Sequence, residues 1–426
     1  MLDALCILLH YAVQGCVQGL AFGTLPLLLR RNTAATDEHS SVFSLVGYPF
    51  TLKFLFAPVV DGIYSTRFGR RESWLVPTQL CSAAIFAHLA SSLEPMLDET
   101  PPRVLLLTAL VFMLTVSTAV TDIATDAWAS SRMCDSRASV CQSVGLTIGF
   151  ESSVTFFFFL KGRGLLELRT LLLGVSAVGF GSVGLVAFVR MCEAHPANVE
   201  DSEVAGLRVV LRRAWALCAG APNVRRLLLF RLLVPVVSGF APLLRARYQA
   251  QGFSPEMFAE YDLCFLPLSF LVMWIGGTIA SSPYPLTFIR RARLATALIG
   301  VASLGHYRCC LAMGELAAHD PMLRITYFCL AKVSDVVGIL LFVVGVAFTN
   351  RIASRNEAIA GTVITFLASC GNLGELLPET WVPLAAQAFG IELTAVLCLS
   401  AGLVVLWAFW EELHRLENID DIGWKA

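Results

Sequence analysis

Apolar residues gather along this chain into long runs separated by short polar turns, and most of the runs are about 20 residues long, enough to cross hydrocarbon as a helix. Six of them occupy residues 5–29, 48–61, 74–93, 104–128, 139–160 and 171–189, and six more begin near Leu227, Phe258, Leu294, Ile325, Ala358 and Leu393. The pattern predicts an all-α polytopic membrane protein with 12 transmembrane helices. Its expected divisions are an N-terminal six-helix half (1–190), a cytoplasmic linker with a short surface helix (191–226), a C-terminal six-helix half (227–412) and a cytoplasmic tail (413–426). The surface helix is expected over 204–217, where apolar residues alternate with Arg208, Arg212 and Arg213 at helical spacing. No basic segment and no small-residue cleavage site precede the first run, so it is expected to persist as a first helix rather than be removed as a signal peptide.

Composition agrees. Of 426 residues, 56% are hydrophobic and 15% charged, and the mean hydropathy is +0.70, whereas soluble domains carry about a quarter charged residues. A net charge of -1 argues against a nucleic-acid partner, which calls for a basic face. The 13 cysteines lie mostly inside apolar runs, where they act as small hydrophobes, and their spacing suggests neither a disulfide framework nor a metal site. No cofactor is implied.

The loop charges set an orientation. Arg67, Arg70 and Arg71, then Arg132 and Arg137, the linker arginines, Arg290, Arg291 and Arg293, and finally Arg351 and Arg355 fall in alternate loops. Several of the intervening loops are acidic. Basic loops stay in the cytosol, so both termini are expected to be cytoplasmic. Lys161, Arg163 and Arg169 are the exception, on the expected outer side.

Charges inside the runs are the candidate chemistry, because an ion within hydrocarbon costs a few kcal/mol or more and must find a partner or a polar cavity. Lys53 sits in the middle of the second run. Asp122 and Asp126 lie one turn apart on one face of the fourth. The acids either load and unload a proton or hold a gating contact through Arg132 or Arg137, and the second reading is favoured. Glu151 lies deep in the fifth run, as a coupling acid or a paired structural one. In the second half Arg231, Arg245, Asp262, Lys332 and Asp335 are intramembrane or nearly so, and Lys332 and Asp335 are spaced to pair. Gln14 and Gln18 share a face of the first helix, either lining a path or bonding neighbouring helices. The run Gly179-Phe180-Gly181-Ser182-Val183-Gly184 fits a nucleotide-loop pattern formally, but no strand precedes it, so its glycines are expected to serve close helix packing.

Particular stretches resemble a known family. Tyr48-Pro49-Phe50-Thr51-Leu52-Lys53, Ala57-Pro58-Val59-Val60-Asp61 and 68–79 (FGRRESWLVPTQ) are similar to the acetyl-coenzyme A transporters of the endoplasmic reticulum membrane, members of the major facilitator superfamily. So are Thr121-Asp122-Ile123-Ala124-Thr125-Asp126-Ala127-Trp128, Gln142-Ser143-Val144-Gly145, and Gly361-Thr362 with Gly371-Asn372-Leu373-Gly374. Asp61 is separated from Arg67, unlike the superfamily's usual pattern but like this family's variant, and Thr121 departs from the family in replacing its usual glutamine.

The resemblance implies the superfamily fold, two six-helix halves related by a pseudo-repeat. It also implies a carrier of acetyl-CoA from the cytosol into the lumen of the secretory pathway. Gating would fall to Asp61, Arg67, Gly69, Arg70, Arg71 and Asp122. Substrate contacts would fall among Gln14, Gln18, Lys53, Asp126, Trp128, Gln142 and Asn372, and Arg231, Arg245 and Lys332 join them as candidate cations by position alone, with arginine suited to phosphate through its bidentate fork. The partners of that reading are acetyl-CoA, CoA as counter-substrate, the bilayer and a second copy of the chain. A transporter of another bulky anionic or sugar-containing solute, like the muropeptide permeases, is the alternative. A membrane acyltransferase is disfavoured, because His10 and His88 lack an acid at catalytic spacing.

Overall fold

A computed structural model of the chain describes residues 2–29, 39, 42–65, 68–192, 208–209, 212, 215–216, 221–251, 253, 255–314, 317, 319–356 and 359–419. The expected linker helix and Arg67 fall largely or wholly outside these residues. Eleven helices among the described residues are long and apolar enough to cross a membrane. Twelve were expected, and the difference is the second run.

That run is not one helix. A 3₁₀ turn (Ser44–Gly47), α3 (Tyr48–Thr51), a second 3₁₀ turn (Lys53–Leu55) and α4 (Ala57–Gly62) follow one another. Pro49 and Pro58 sit in the first turns of α3 and α4, where a missing N–H costs little and a new helix starts readily. Leu52, between the pieces, leaves helical geometry at φ -96° and ψ 10°. Irregular backbone at membrane depth is tolerated only where protein or a polar cavity covers it, and Lys53 is buried there.

The first run is interrupted more gently. α1 (Leu2–Gln18) passes through a π-helical turn (Gly19–Thr24) into α2 (Leu25–Leu29). A second π turn (Ser152–Phe156) joins α7 (Asp135–Glu151) to α8 (Phe157–Gly162). The two wide turns meet, with the Thr24 hydroxyl donating to the Ser153 carbonyl at 2.5 Å. α1 and α7 also touch backbone to backbone. A Cβ on Gly149 would lie 2.6 Å from the Cys16 nitrogen, and one on Gly145 would lie 2.8 Å from the Leu8 carbonyl oxygen. Lipid offers no hydrophobic drive to hold helices together, so close approach at small residues supplies the contact.

The expected packing glycines at 179–184 behave differently. Gly179 faces Ala83, but nothing approaches a Cβ at Gly181 or Gly184, so only the first serves a helix contact.

The remaining elements of the first half are α5 (Glu72–Asp98), α6 (Val104–Arg132) and α9 (Leu168–Cys192). Then come α10 (Pro222–Leu233), α11 (Ala241–Ala250), α12 (Pro255–Ala280), α13 (Pro285–Met313), α14 (Pro321–Ser354), α15 (Ala360–Phe389), α16 (Ile391–Ala408) and the amphipathic α17 (Trp410–Glu417). The chain forms two compact units. One comprises Met1–Trp215 with Asn350–Ser369, so the adjoining ends of α14 and α15 cluster with the first-half helices; the other comprises Ala216–Thr349 and Cys370–Ala426. In the first unit an apolar core gathers Phe86, Leu89, Leu107, Val111 and Phe157. In the second, Phe240, Tyr248, Phe253 and Tyr327 do the same.

Candidate functional site

Three polar assemblies stand out against the apolar interior, two in the first unit and one in the second. The first is built on α6. Its run of small residues leaves room for neighbouring helices, and its two aspartates project one turn apart. Lys53 Nζ lies 2.6 Å from Asp122 Oδ2. Tyr11 of α1 donates its hydroxyl to Asp126 Oδ1 at 2.7 Å, and Gln142 Nε2 of α7 donates to the same oxygen at 3.1 Å. All are deeply buried: Tyr11 is 1% exposed, Asp126 3%, Lys53 and Asp122 5% each.

The break in the second run explains the lysine. It brings the 3₁₀ turn against α6 and lets Lys53 pair with Asp122, an acid for which Arg132 or Arg137 was the expected partner. Nearby, Trp128 is buried with His10 edge-on at 6.2 Å, and His10 Nδ1 bonds the Cys6 carbonyl at 2.7 Å. Gln14 is 1% exposed, and neither atom of its amide has a hydrogen-bond partner among the described residues; Gln18 is half-buried. Thr121, at the departure from the family pattern, bonds the Thr78 hydroxyl at 2.7 Å.

The second assembly is centred on Asp61 at the end of α4. Its Oδ1 lies 3.0 Å from Arg70 Nη2 and 3.4 Å from Arg71 Nη1. Its Oδ2 accepts the backbone N–H of Thr362 at 2.6 Å and the Thr362 hydroxyl at 2.7 Å. Burial and the neighbouring Arg70 push the Arg71 guanidinium down to about 10 against the pull of Asp61, so it stays cationic at neutral pH. Gly69 makes the turn with φ +88°, and a side chain there would strike the Glu72 carboxylate, which is why the tight basic turn carries glycine.

The third lies wholly in the second unit, a cavity of about 380 Å³ whose lining includes Arg245, Tyr248, Asp262, Tyr327, Lys332 and Asp335. Lys332 bonds Asp262 closely and Asp335 at 2.8 Å, and stands over the Phe265 ring at 5.6 Å. The pairing with Asp335 follows from their spacing; Asp262 on α12 joins through the fold. Tyr248 forms the aromatic wall, with Tyr327 at 4.5 Å and its hydroxyl 2.9 Å from His306 Nδ1.

Arg245 and Lys332 therefore share one cavity, and Arg231 does not. Its Nη2 donates to the Gly345 carbonyl at 2.8 Å and the Thr349 hydroxyl at 2.6 Å. Asn372 is exposed on α15. Tyr11, Tyr248 and His306 were not singled out in the sequence. Tyr11 precedes Gln14 and Gln18 at helical spacing, a signal available in retrospect; the aromatic wall had none, because its members come from three helices.

Eleven helices among the described residues are long and apolar enough to cross a membrane, and their arrangement is the fold of the major facilitator transporters. A human organic anion transporter has the same fold over 95% of this chain and 98% of its own, at 16% identity and a TM-score of 0.60. A bacterial homologue of the iron transporter ferroportin matches over 96% and 98%, at 16% identity and a TM-score of 0.61. Residues 4–191 match the protein-family model described as Acetyl-coenzyme A transporter 1, so the resemblance noted in the sequence holds across nearly all of the first six helices.

Among curated proteins, an uncharacterized protein of Schizosaccharomyces pombe is 33% identical across 35% of this chain and 29% of its own. An uncharacterized membrane protein of Saccharomyces cerevisiae is 35% identical across 36% and 31%. The anhydromuropeptide permease of Escherichia coli is 35% identical across 20% and 16%. The matched segments span less than a third of each of these relatives.

Proposed function

We propose that this carrier moves acetyl-CoA across the endoplasmic reticulum membrane by alternating access, from the cytosol into the lumen, where it supplies acetyl transfer, with both termini cytosolic. The observation that carries the reading is the match of residues 4–191 to the acetyl-coenzyme A transporter model, a segment holding Tyr11, Lys53, Asp122, Asp126 and Gln142. The cavity in the second unit supports it. Tyr248 and Tyr327 offer ring surface for an adenine, and Arg245 offers a guanidinium to phosphate oxygens. Lys332 is held by two carboxylates, and Arg245 brings a second cation to the same cavity. CoA is the proposed counter-substrate, and a homodimer the proposed assembly.

The test is uptake of labelled acetyl-CoA into proteoliposomes, beside empty vesicles, with and without CoA inside. Uptake above the empty control supports the substrate, and stimulation by internal CoA supports exchange. Absence of uptake from folded, inserted protein would turn attention to the second reading, another bulky anionic or sugar-containing solute, which the short permease match favours.

A further inference from the structure

The buried cluster on α6 has an unequal charge count. One ammonium, Lys53, faces two carboxylates one turn apart, and its nitrogen lies 2.6 Å from Asp122. Asp126 is left with neutral donors, Tyr11 at 2.7 Å and Gln142 at 3.1 Å, both on Oδ1. The charged and titratable groups around it are Lys53 from the broken second run, Tyr11 from α1 and Asp122 on its own helix, with Cys141 of α7 near Tyr11 and His10 edge-on to Trp128 beyond. Neutral donors orient a carboxylate but bring no charge, and a buried ion without a counter-ion is far costlier than a neutral acid.

We propose that Asp126 is the proton-binding site of this carrier, holding its proton in the arrangement described here and giving it up when the cluster opens to water. Oδ2 carries the hydrogen while Oδ1 accepts from Tyr11 and Gln142. On opening, the O–H bond breaks, the carboxylate keeps both bonding electrons, and the proton passes to water on the side that has opened. Glu151, a half-buried acid of the same unit, is the last residue of α7 before the π turn, away from this cluster.

Coupling a proton to transport rests on the carrier reading proposed above, but occupancy of Asp126 does not, and the two are measured separately. Occupancy is read by infrared spectroscopy of purified protein in lipid nanodiscs, through the carbonyl stretch of a protonated carboxylic acid. At neutral pH the wild type is expected to show this band, Asp126→Asn to lose it, and Asp126→Glu and Glu151→Gln to keep it. A wild type without the band, a band that survives Asp126→Asn, or one lost in Glu151→Gln would overturn the assignment. All variants are first checked for monodisperse behaviour, and Asp126→Glu guards against a loss caused by misfolding.

Coupling is read in proteoliposomes under an imposed pH gradient. The gradient is expected to stimulate acetyl-CoA uptake by the wild type and to have no effect on Asp126→Asn. Stimulation that persists in Asp126→Asn would refute the coupling role. Should wild-type vesicles take up no acetyl-CoA, the substrate reading falls, and the infrared result still decides where the proton sits.

Discussion

Asp61 and Thr362 lie 301 residues apart in sequence and are joined by two hydrogen bonds to one oxygen, Thr362 N–H to Oδ2 at 2.6 Å and Thr362 Oγ1 to Oδ2 at 2.7 Å. The same carboxylate holds Arg70 and Arg71 on its other oxygen. The basic turn and the start of α15 are thus tied through a single buried acid.

Hydrogen bonds to a charged group contribute about 1.5–3 kcal/mol each. Thr362→Val removes one of the pair and keeps the backbone bond, so it is expected to slow transport moderately. Asp61→Asn removes the charge that holds both arginines and is expected to slow it more. Initial uptake rates of the two variants, normalised to protein inserted, check the order; a Thr362→Val defect as deep as that of Asp61→Asn would contradict it.

Removing one member of a buried ion pair strands the other. Lys53→Met leaves Asp122 without its ammonium, and a loss on the order of 3–5 kcal/mol is expected. The double variant Lys53→Met, Asp122→Asn is expected to recover much of that loss, because no uncompensated charge remains. Melting temperatures in detergent, followed by size-exclusion chromatography, separate the two.

The α1–α7 contact allows no added volume. Gly149→Ala places a methyl against the backbone of Cys16 and Gly15, and overpacking of this kind costs about 1–3 kcal/mol. Gly181→Ala meets nothing within 4 Å and is expected to leave the melting temperature unchanged. Equal effects of the two would argue against the packing described.

Two arginines of the second unit are expected to fail in different ways. Arg245→Ala removes a cation from the cavity wall, and on the acetyl-CoA reading it raises KM by roughly tenfold, the equivalent of one charge-assisted bond. Arg231→Ala removes the guanidinium bonds to the Gly345 carbonyl and the Thr349 hydroxyl and is expected to lower the melting temperature instead. Measuring both quantities on both variants exposes any reversal of roles.

Several features were readable before any coordinates. The number and placement of apolar runs predicted the helices, and eleven appear at full length. The cost of an ammonium in hydrocarbon required a partner for Lys53, and the spacing of Lys332 and Asp335 required no fold to suggest that they pair. The breaking of the second run was less legible, although Pro49 and Pro58 stood in the sequence, because transmembrane helices often absorb prolines without interruption. The glycines at 179–184 misled, since small residues face lipid as readily as a neighbour when nothing else in the sequence distinguishes the two.

The sequence by itself determined that this chain crosses a membrane many times and carries ions there, since transfer of apolar side chains into lipid and the penalty on buried charge act on each residue wherever it lies. Only the tertiary structure decided which ions meet. Lys53 reaches Asp122 across 69 positions, Tyr11 reaches Asp126 across 115, and Lys332 gathers Asp262 from 70 positions away. Those pairings depend on the depth and rotation of whole helices, set by backbone contacts such as that at Gly145 and Gly149, and charge interactions inside a low-dielectric interior then act on whichever groups packing has brought within a few ångströms.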